Sequence, residues 1–364
     1  MPHLGVDTQR LAGSRAGVAR YLASLLREWS SAELPFERVT LFTPVPLPGD
    51  VLPAGSALEV RVVPGRSRRL WGQWELPRAA HDVDLLFCPA YVAPVSYSGR
   101  YAVVMHDALQ EVLPGSFNRR ARLRRRLYRR AARGAVRVLA PSDASKRDLE
   151  RAYGLDPTRV DAIHLGVDDR FRSATDDDVQ RVRETYGLAG LPVILFVGKL
   201  SKRRNLPNLV RAVASLRSDH LLVLAGEDHL GLGLDEIGRE AGIGNRLRLL
   251  GFVPDDDLPA LYRAAEIFVY PSDYEGFGIP VLEAMAAGTP AVTLDNSALA
   301  EVASDAAVLL PNAAVDELAG AFERLAADPA LRADYSERGR RRAAAFTWAE
   351  TARRTIDSLR KAAA

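Results

Sequence analysis

The chain has 364 residues, 48% of them hydrophobic and 26% charged, with a formal net charge of +3. That describes a soluble globular chain with room for two domains that each bury a core, its surface leaning basic without being overwhelmingly so. The one cysteine, Cys88, excludes an internal disulfide framework and gives no metal-finger spacing. Met1–Asp7 lacks a signal-peptide pattern and no apolar run approaches a membrane span, so the expected location is cytoplasmic.

Leu4-Gly-Val-Asp7 reads as an opening strand. Gly13 and Gly17 mark a loop, after which Val18, Leu22, Leu25, Leu26 and Trp29 have helical spacing. Strand, glycine loop and helix suggest a phosphate- or sugar-facing turn, although Gly17 also serves as an ordinary turn residue and Arg20 as a solvated one. Short strands follow at 39–42, 58–63 and 84–87, with a helical segment over 69–80. Cys88, next to Leu85-Leu86-Phe87, reads as a small core residue. Residues 101–105 form a fifth strand and deliver His106-Asp107 just past its end, where a polar pair can meet a ligand; a lone histidine is equally a structural residue.

An arginine-rich stretch spans 118–137, with Leu123, Leu127 and Ala131 four apart as the expected buried stripe of a helix. A solvated face accounts for the arginines. The alternative is a patch over Arg119–Arg137 that attracts an anionic membrane or a phosphorylated acceptor. With few aromatics, nucleic acid is not an expected partner. Arg137–Ala140 is a further strand, and Ser142 caps a helix with Ser145 three residues on. The polar run 168–178, containing Ser173 and Thr175, reads as an interdomain linker.

The second half opens with Val193-Ile-Leu-Phe-Val197, a continuous apolar run typical of a central parallel strand. Gly198-Lys-Leu-Ser-Lys-Arg-Arg-Asn205 follows, then a helix through Leu206, Leu209, Val210 and Val213. Cations and helix N–H groups aimed at one place favour an anion; a solvated basic loop is the competing reading. Strands recur at 221–225, 247–250, 267–270, 291–294 and 308–310, none followed by a dinucleotide-binding glycine fingerprint. Between the strands at 267–270 and 291–294 lies Glu275-Gly-Phe-Gly-Ile-Pro-Val-Leu-Glu283. Pro280 suits a first helical turn, and Gly288 with Pro290 ends the helix. Gly276 and Gly278 let the backbone approach a ligand, and both carboxylates can face one crevice beyond the strand ends.

That stretch closely resembles the Glu-x7-Glu signature of family-four (group 1) retaining glycosyltransferases of the GT-B fold. The resemblance implies two Rossmann-like α/β domains facing each other across a cleft, with a C-terminal helix crossing back to the first. The expected boundaries are 1–172 for an acceptor domain, 173–345 for a donor domain and 346–364 for the returning helix. It implies that Glu275 touches hydroxyls of the donor sugar and Glu283 the ribose, within a loop of Gly276, Phe277, Gly278 and Ile279. Lys199 and Arg204 stand where the family has arginine and lysine, and by resemblance bind the donor diphosphate together with Gly198 and Asn205. That exchange keeps charge but changes hydrogen-bond geometry. Gly251-Phe-Val-Pro254 resembles the base-binding loop, which implicates Phe252 and Val253. Gly17, Arg20 and Tyr21 match a Gly-x-x-Arg-Tyr, Gly17 approaching donor phosphates or acceptor. His106 takes the family's place for a histidine meeting the donor sugar. Relatives often carry Pro-Asn where His164-Leu165 stands.

The expected activity is retaining transfer of a hexosyl group from a nucleotide-diphosphate sugar to a hydroxyl acceptor, with mannosyl from GDP-mannose the first guess and a UDP-sugar next. His106 and Glu275 are the expected catalytic pair. No Asp-x-Asp occurs in a plausible loop, so no metal and no other cofactor are expected. A nucleotide-sugar epimerase of the same fold and a non-catalytic sugar-nucleotide-binding subunit are the rivals.

Overall fold

A computed structural model describes residues 1–364 apart from 14–16, 66, 68–69, 114–118 and 189, and apart from the side chains of 119–122. It divides into two compact units, Met1–Gly166 with Thr347–Ala364, and Val167–Phe346.

Among the described residues the first unit carries seven parallel strands: β1 His3–Asp7, β2 Arg38–Thr43, β3 Glu59–Val62, β4 Leu85–Cys88, β5 Tyr101–Val104, β6 Arg137–Ala140 and β7 Val160–Ala162. Their order is β3-β2-β1-β4-β5-β6-β7. The second unit has β8 Val193–Val197, β9 Leu221–Ala225, β10 Leu247–Gly251, β11 Ile267–Tyr270, β12 Ala291–Leu294 and β13 Val308–Leu310, in the order β10-β9-β8-β11-β12-β13. Both sheets grow outward from their first strand and then reverse. That is the doubly wound order, in which ligands bind outside the carboxyl ends of the strands where the order turns: between β1 and β4, and between β8 and β11.

The strands earn their central places by composition. Every residue of β4, β8, β9, β11 and β12 is buried, as parallel strands covered on both faces require. The edge strand β3 by contrast exposes Glu59, Val60 and Val62. Cys88 is fully buried in the first core, in keeping with its neighbours.

The helix Trp348–Ala363 belongs to the first unit. It lies along the helix Val18–Ser30, and Trp29 Nε1 donates to Ala352 O at 3.3 Å. Thr351 Oγ1 donates to His164 O at 2.8 Å and Arg354 to Ala162 O at 2.7 Å, so the helix also pins the end of β7. Gly166 is required where the chain meets this helix, since a Cβ there would lie 2.3 Å from Trp348 N.

Three expectations change. The run 168–178 is ordered structure: a 3-10 turn over Asp169–Arg172 packs on two helices of the second unit, and Thr175 and Asp178 form a reciprocal capping box for the helix Asp176–Thr185. Polar composition concealed that cap, whose carboxylate is Asp where Glu is the usual signal. The unit boundary therefore falls at Gly166/Val167 and not at 172/173, and the later one at Phe346/Thr347. Leu123, expected in a buried stripe, is 63% exposed; burial of this helix begins at Ala131 and Ala132.

The arginines of that helix, Arg119–Gly134, divide by role. Arg125 and Arg129 pair with Glu111, and Arg133 Nε donates to Tyr153 O at 2.7 Å, fixing the helix to its neighbours. Arg124 and Arg126 make no ion pair among the described residues.

Candidate active site

In the second unit the switch point lies between the ends of β8 and β11, and the loops leaving those strands carry most of the residues singled out in the sequence. Three strand ends crowd together first. Gly198 N donates to Ala225 O, and Gly226 N to Gly251 O, each at 2.8 Å. Gly226 has φ of 148°, and a Cβ there would lie 2.0 Å from Gly198 O, so only glycine fits.

From Gly198 the chain runs into a 3-10 turn, Lys202–Arg204, and Asn205 reverses it with φ of 50° before the helix Leu206–Ala214. This tight turn drives Arg204 inward. It is 8% exposed, its guanidinium 5.0 Å from the Tyr270 ring centroid and 5.7 Å from that of Phe196, and it donates to Lys199 O at 2.6 Å. Cation–π contact with two strand aromatics offsets part of the cost of burying the charge.

The loop after β11 is tied to this turn. Arg203 Nη1 donates to Glu275 Oε1, to Tyr274 O at 2.6 Å and to Ser272 Oγ at 2.8 Å. Ser272 Oγ donates in turn to Glu275 Oε1 at 2.9 Å, and Arg204 Nε lies 3.5 Å from the same oxygen. Asn205 Nδ2 donates to Pro271 O at 3.0 Å and Asp273 Oδ1 at 2.6 Å. Glu275 N donates to Ser297 Oγ at 3.1 Å. Burial would raise the Glu275 pKa, but the charges of Arg204 and Arg203, with hydrogen bonds from Arg203 and Ser272, outweigh it and hold the group below its ordinary value. At the switch point Glu275 is thus held as a carboxylate to lower pH than an ordinary glutamate.

The remaining residues distribute around this cluster. Lys199 is exposed and makes no ion pair among the described residues, its backbone carbonyl serving Arg204 instead. Glu283, on the buried helix Ile279–Ala287, is 4% exposed and accepts from Tyr262 OH at 2.8 Å. Gly278 caps that helix with φ of 102°, and Pro280 lies in its first turn. Gly276 is buried beside Phe277, which is 4% exposed and meets Phe346 edge-on at 5.9 Å; Ile279 is half-buried. Beyond β10, Phe252 is 71% exposed while Val253 is buried. An aromatic held that far into solvent at a strand's carboxyl end is available for stacking. The sequence pointed to Arg204 and Glu275 but not to Arg203 and Ser272, which bind the carboxylate, or to Ser297, which accepts from the Glu275 backbone N–H; only the density of cations in the loop hinted at Arg203.

In the first unit, His106 lies past β5, its Nε2 2.8 Å from Pro89 O beyond the end of β4. Tyr21 meets the imidazole edge-on at 5.2 Å and Tyr91 lies at 5.5 Å. Burial, partly offset by Pro89 O and Asp107, lowers the His106 pKa, which favours the neutral ring with Nε2–H donating to Pro89 O. Asp107 accepts from Tyr91 OH at 2.7 Å and Leu109 N at 3.0 Å. Gly17 has φ of 59° and precedes the helix Val18–Ser30; residues 14–16 of that loop lie outside the described residues.

Two doubly wound units and a cation–carboxylate cluster at a strand switch point define the GT-B class of α/β proteins. A crystal structure of HepE from Anabaena in complex with UDP and glucose shares this fold, with a TM-score of 0.81 over 99% of this chain and 100% of that one at 20% identity. The chain belongs to the glycosyltransferase family 4, group 1, and is a glycosyltransferase. Residues 178–342 match the family "Glycosyl transferases group 1" and residues 15–171 the family "Glycosyltransferase Family 4". The chain is 31% identical over 288 residues to O-antigen chain mannosyltransferase B of Escherichia coli, covering 77% of this chain and 68% of that protein. It is 34% identical over 236 residues to D-inositol 3-phosphate glycosyltransferase of Salinispora arenicola, covering 60% of this chain and 53% of that protein.

Proposed function

We propose that the protein transfers a hexosyl group from a nucleotide-diphosphate sugar to a hydroxyl acceptor, with retention and without a metal. The observation that carries this reading is the Arg203–Arg204–Glu275 cluster, with Arg204 buried and the other two half-buried, joining the loops after β8 and β11. Arg204, Lys199, Asn205 and the backbone at Gly198 receive the diphosphate, and Glu275 accepts hydroxyls of the donor sugar. Phe252 and Val253 meet the nucleobase, and Glu283, oriented by Tyr262, the ribose. In the reaction the bond from C1 to the diphosphate oxygen breaks and the acceptor oxygen bonds C1 on the same face. The acceptor proton passes to the departing phosphate, whose developing charge the cations stabilise. His106 supports the sugar as a neutral hydrogen-bonding group. The Escherichia coli relative's name favours a mannosyl donor, and the UDP-bound Anabaena structure a UDP-sugar.

A thermal-shift screen of GDP, UDP, ADP and dTDP with their sugars identifies the donor, and the anomeric configuration of the product is read by NMR. Glu275→Gln should lower kcat by about 10²-fold or more, the scale lost with one group that stabilises transition-state charge, while Tm holds. Near-normal transfer by that variant removes Glu275 from the mechanism. Activity lost to chelator and restored by a divalent ion rejects the metal-free route. Donor isomerised without acceptor marks an epimerase, and binding without turnover marks a binding subunit.

The exposed Leu123 among Arg124 and Arg126 also favours contact with an anionic lipid surface. Flotation with phosphatidylglycerol vesicles should fall on Leu123→Asp substitution and with rising salt; flotation equal to that with neutral vesicles rejects it.

A further inference from the structure

The first sheet has a switch point of its own, where the proposed reaction sets His106 at the donor sugar and the neighbouring Asp7 and Arg10 have no part in the donor site. The last paired residues of β1 and β4 are Val6 and Phe87, so Asp7 stands where the chain leaves the sheet beside the exit of β4. Asp7 Oδ1 accepts from Gln9 N at 2.9 Å, the opening of the 3-10 turn Gln9–Ala12. Oδ2 has no hydrogen-bond partner among the described residues. The turn carries the exposed Arg10, whose charge acts on both Asp7 and His106. His106 in turn leans over the exit of β4 through Pro89 O. A carboxylate, a guanidinium and an imidazole from three separate elements therefore gather at the crevice where a doubly wound sheet binds its ligand.

Holding a carboxylate there is costly. Burial pushes the Asp7 pKa up to about 6, only partly offset by Gln9 N–H and the charge of Arg10. The other titratable group facing it, the Cys88 thiol, is pushed well up by burial and then by Asp7 itself. Asp7 is half-buried, and its Oδ2 is left open to a hydroxyl from the crevice.

We propose that Asp7 and Arg10 hold the acceptor: Asp7 Oδ2 takes the hydrogen bond of one acceptor hydroxyl, and Arg10 donates to a neighbouring oxygen. Opposite charges side by side suit a neutral polyhydroxylated molecule, a sugar or polyol. The inference rests on the glycosyl-transfer reading and names the substrate class of its second half.

The decisive measurement needs no turnover. In protein labelled with 13C at aspartate, the Asp7 carboxyl signal is assigned by its loss in Asp7→Asn and titrated with and without methyl α-D-mannopyranoside or myo-inositol. A midpoint near 6 should move down with one of these probes, because a hydroxyl donor favours the carboxylate. A titration that both probes leave unchanged overturns the proposal, whether or not the chain consumes donor. In turnover, Asp7→Asn should raise the KM for the glycoside about tenfold, the scale of one hydrogen bond to a charged group, and leave donor hydrolysis intact. Loss of donor hydrolysis instead places Asp7 with the donor. Above pH 7, Asp7→Asn should also raise Tm, the gain shrinking as pH falls through about 6. A lowered Tm makes Asp7 a structural anchor and ends the idea.

Discussion

Arg203 illustrates what a sequence hides at the scale of single residues. Lys199, Lys202, Arg203 and Arg204 are cations of one short loop, and nothing in their order says which turns inward. The 3-10 turn decides, burying Arg204 against two rings and setting Arg203 across to Glu275. Both guanidiniums then stabilise one carboxylate, so their removal should differ. Arg203→Ala leaves Glu275 with Ser272 and Arg204, and its pKa should rise because one of the two lowering charges is gone. The stability Glu275 lends is present above its unfolded pKa and fades as pH falls through its depressed folded value. In Arg203→Ala that fading should begin at higher pH, and acid unfolding followed by circular dichroism measures it. A superimposable acid limb means that Arg203 contributes no net charge stabilisation. Glu283 teaches a related lesson: the carboxylate spacing was legible, but its partner Tyr262 comes from a helix 21 residues earlier that no local pattern connects to it.

Elements were more legible than side chains because their signals are local and repeated. The apolar runs of β8, β9, β11 and β12 announce buried parallel strands, and Gly278, Pro280 and Gly288 punctuate the helix Ile279–Ala287 as their backbone preferences require. What failed was the short or the polar. β7 has three residues and no alternation, and the Thr175 cap is hidden in acids. The strand exits obey a constraint no composition reveals, because Gly226 is needed for its φ of 148° and its approach to Gly198. Gly226→Ala should therefore destabilise by about 2–4 kcal/mol, combining strain at φ of 148° with a backbone clash. The shift of β8 away from β9 should also loosen the anion loop, so nucleotide affinity drops with stability in calorimetry. A neutral substitution shows that these strand ends can separate at no cost.

For the chain as a whole, the returning helix is the feature with the largest consequence. The apolar residues of that helix, Trp348, Ile356 and Leu359, do not by themselves say where they pack. Separation in the chain carries no spatial information, and only the family likeness pointed to the first unit. There the helix buries Trp348, Thr351, Ala352, Thr355, Ile356 and Leu359. It also presents Thr355 to Tyr21, whose ring touches His106. Three large apolar side chains at about 1.5–3 kcal/mol each approach the whole stability of an ordinary domain, so the first unit should not fold without its last 18 residues. Leu359→Ala, fully buried, should cost about 2–5 kcal/mol. Hydrogen exchange locates the loss: protection should fall in β4 to β7 and in the helix Val18–Ser30, while β8 to β13 keep theirs. Because Tyr21 rests on this helix, the imidazole titration of His106 should move toward its ordinary value in the same variant as burial is relieved. Equal loss of protection in both sheets is the opposite result. It means that the two units unfold as one, and that the helix stabilises the chain globally and not through the unit it covers.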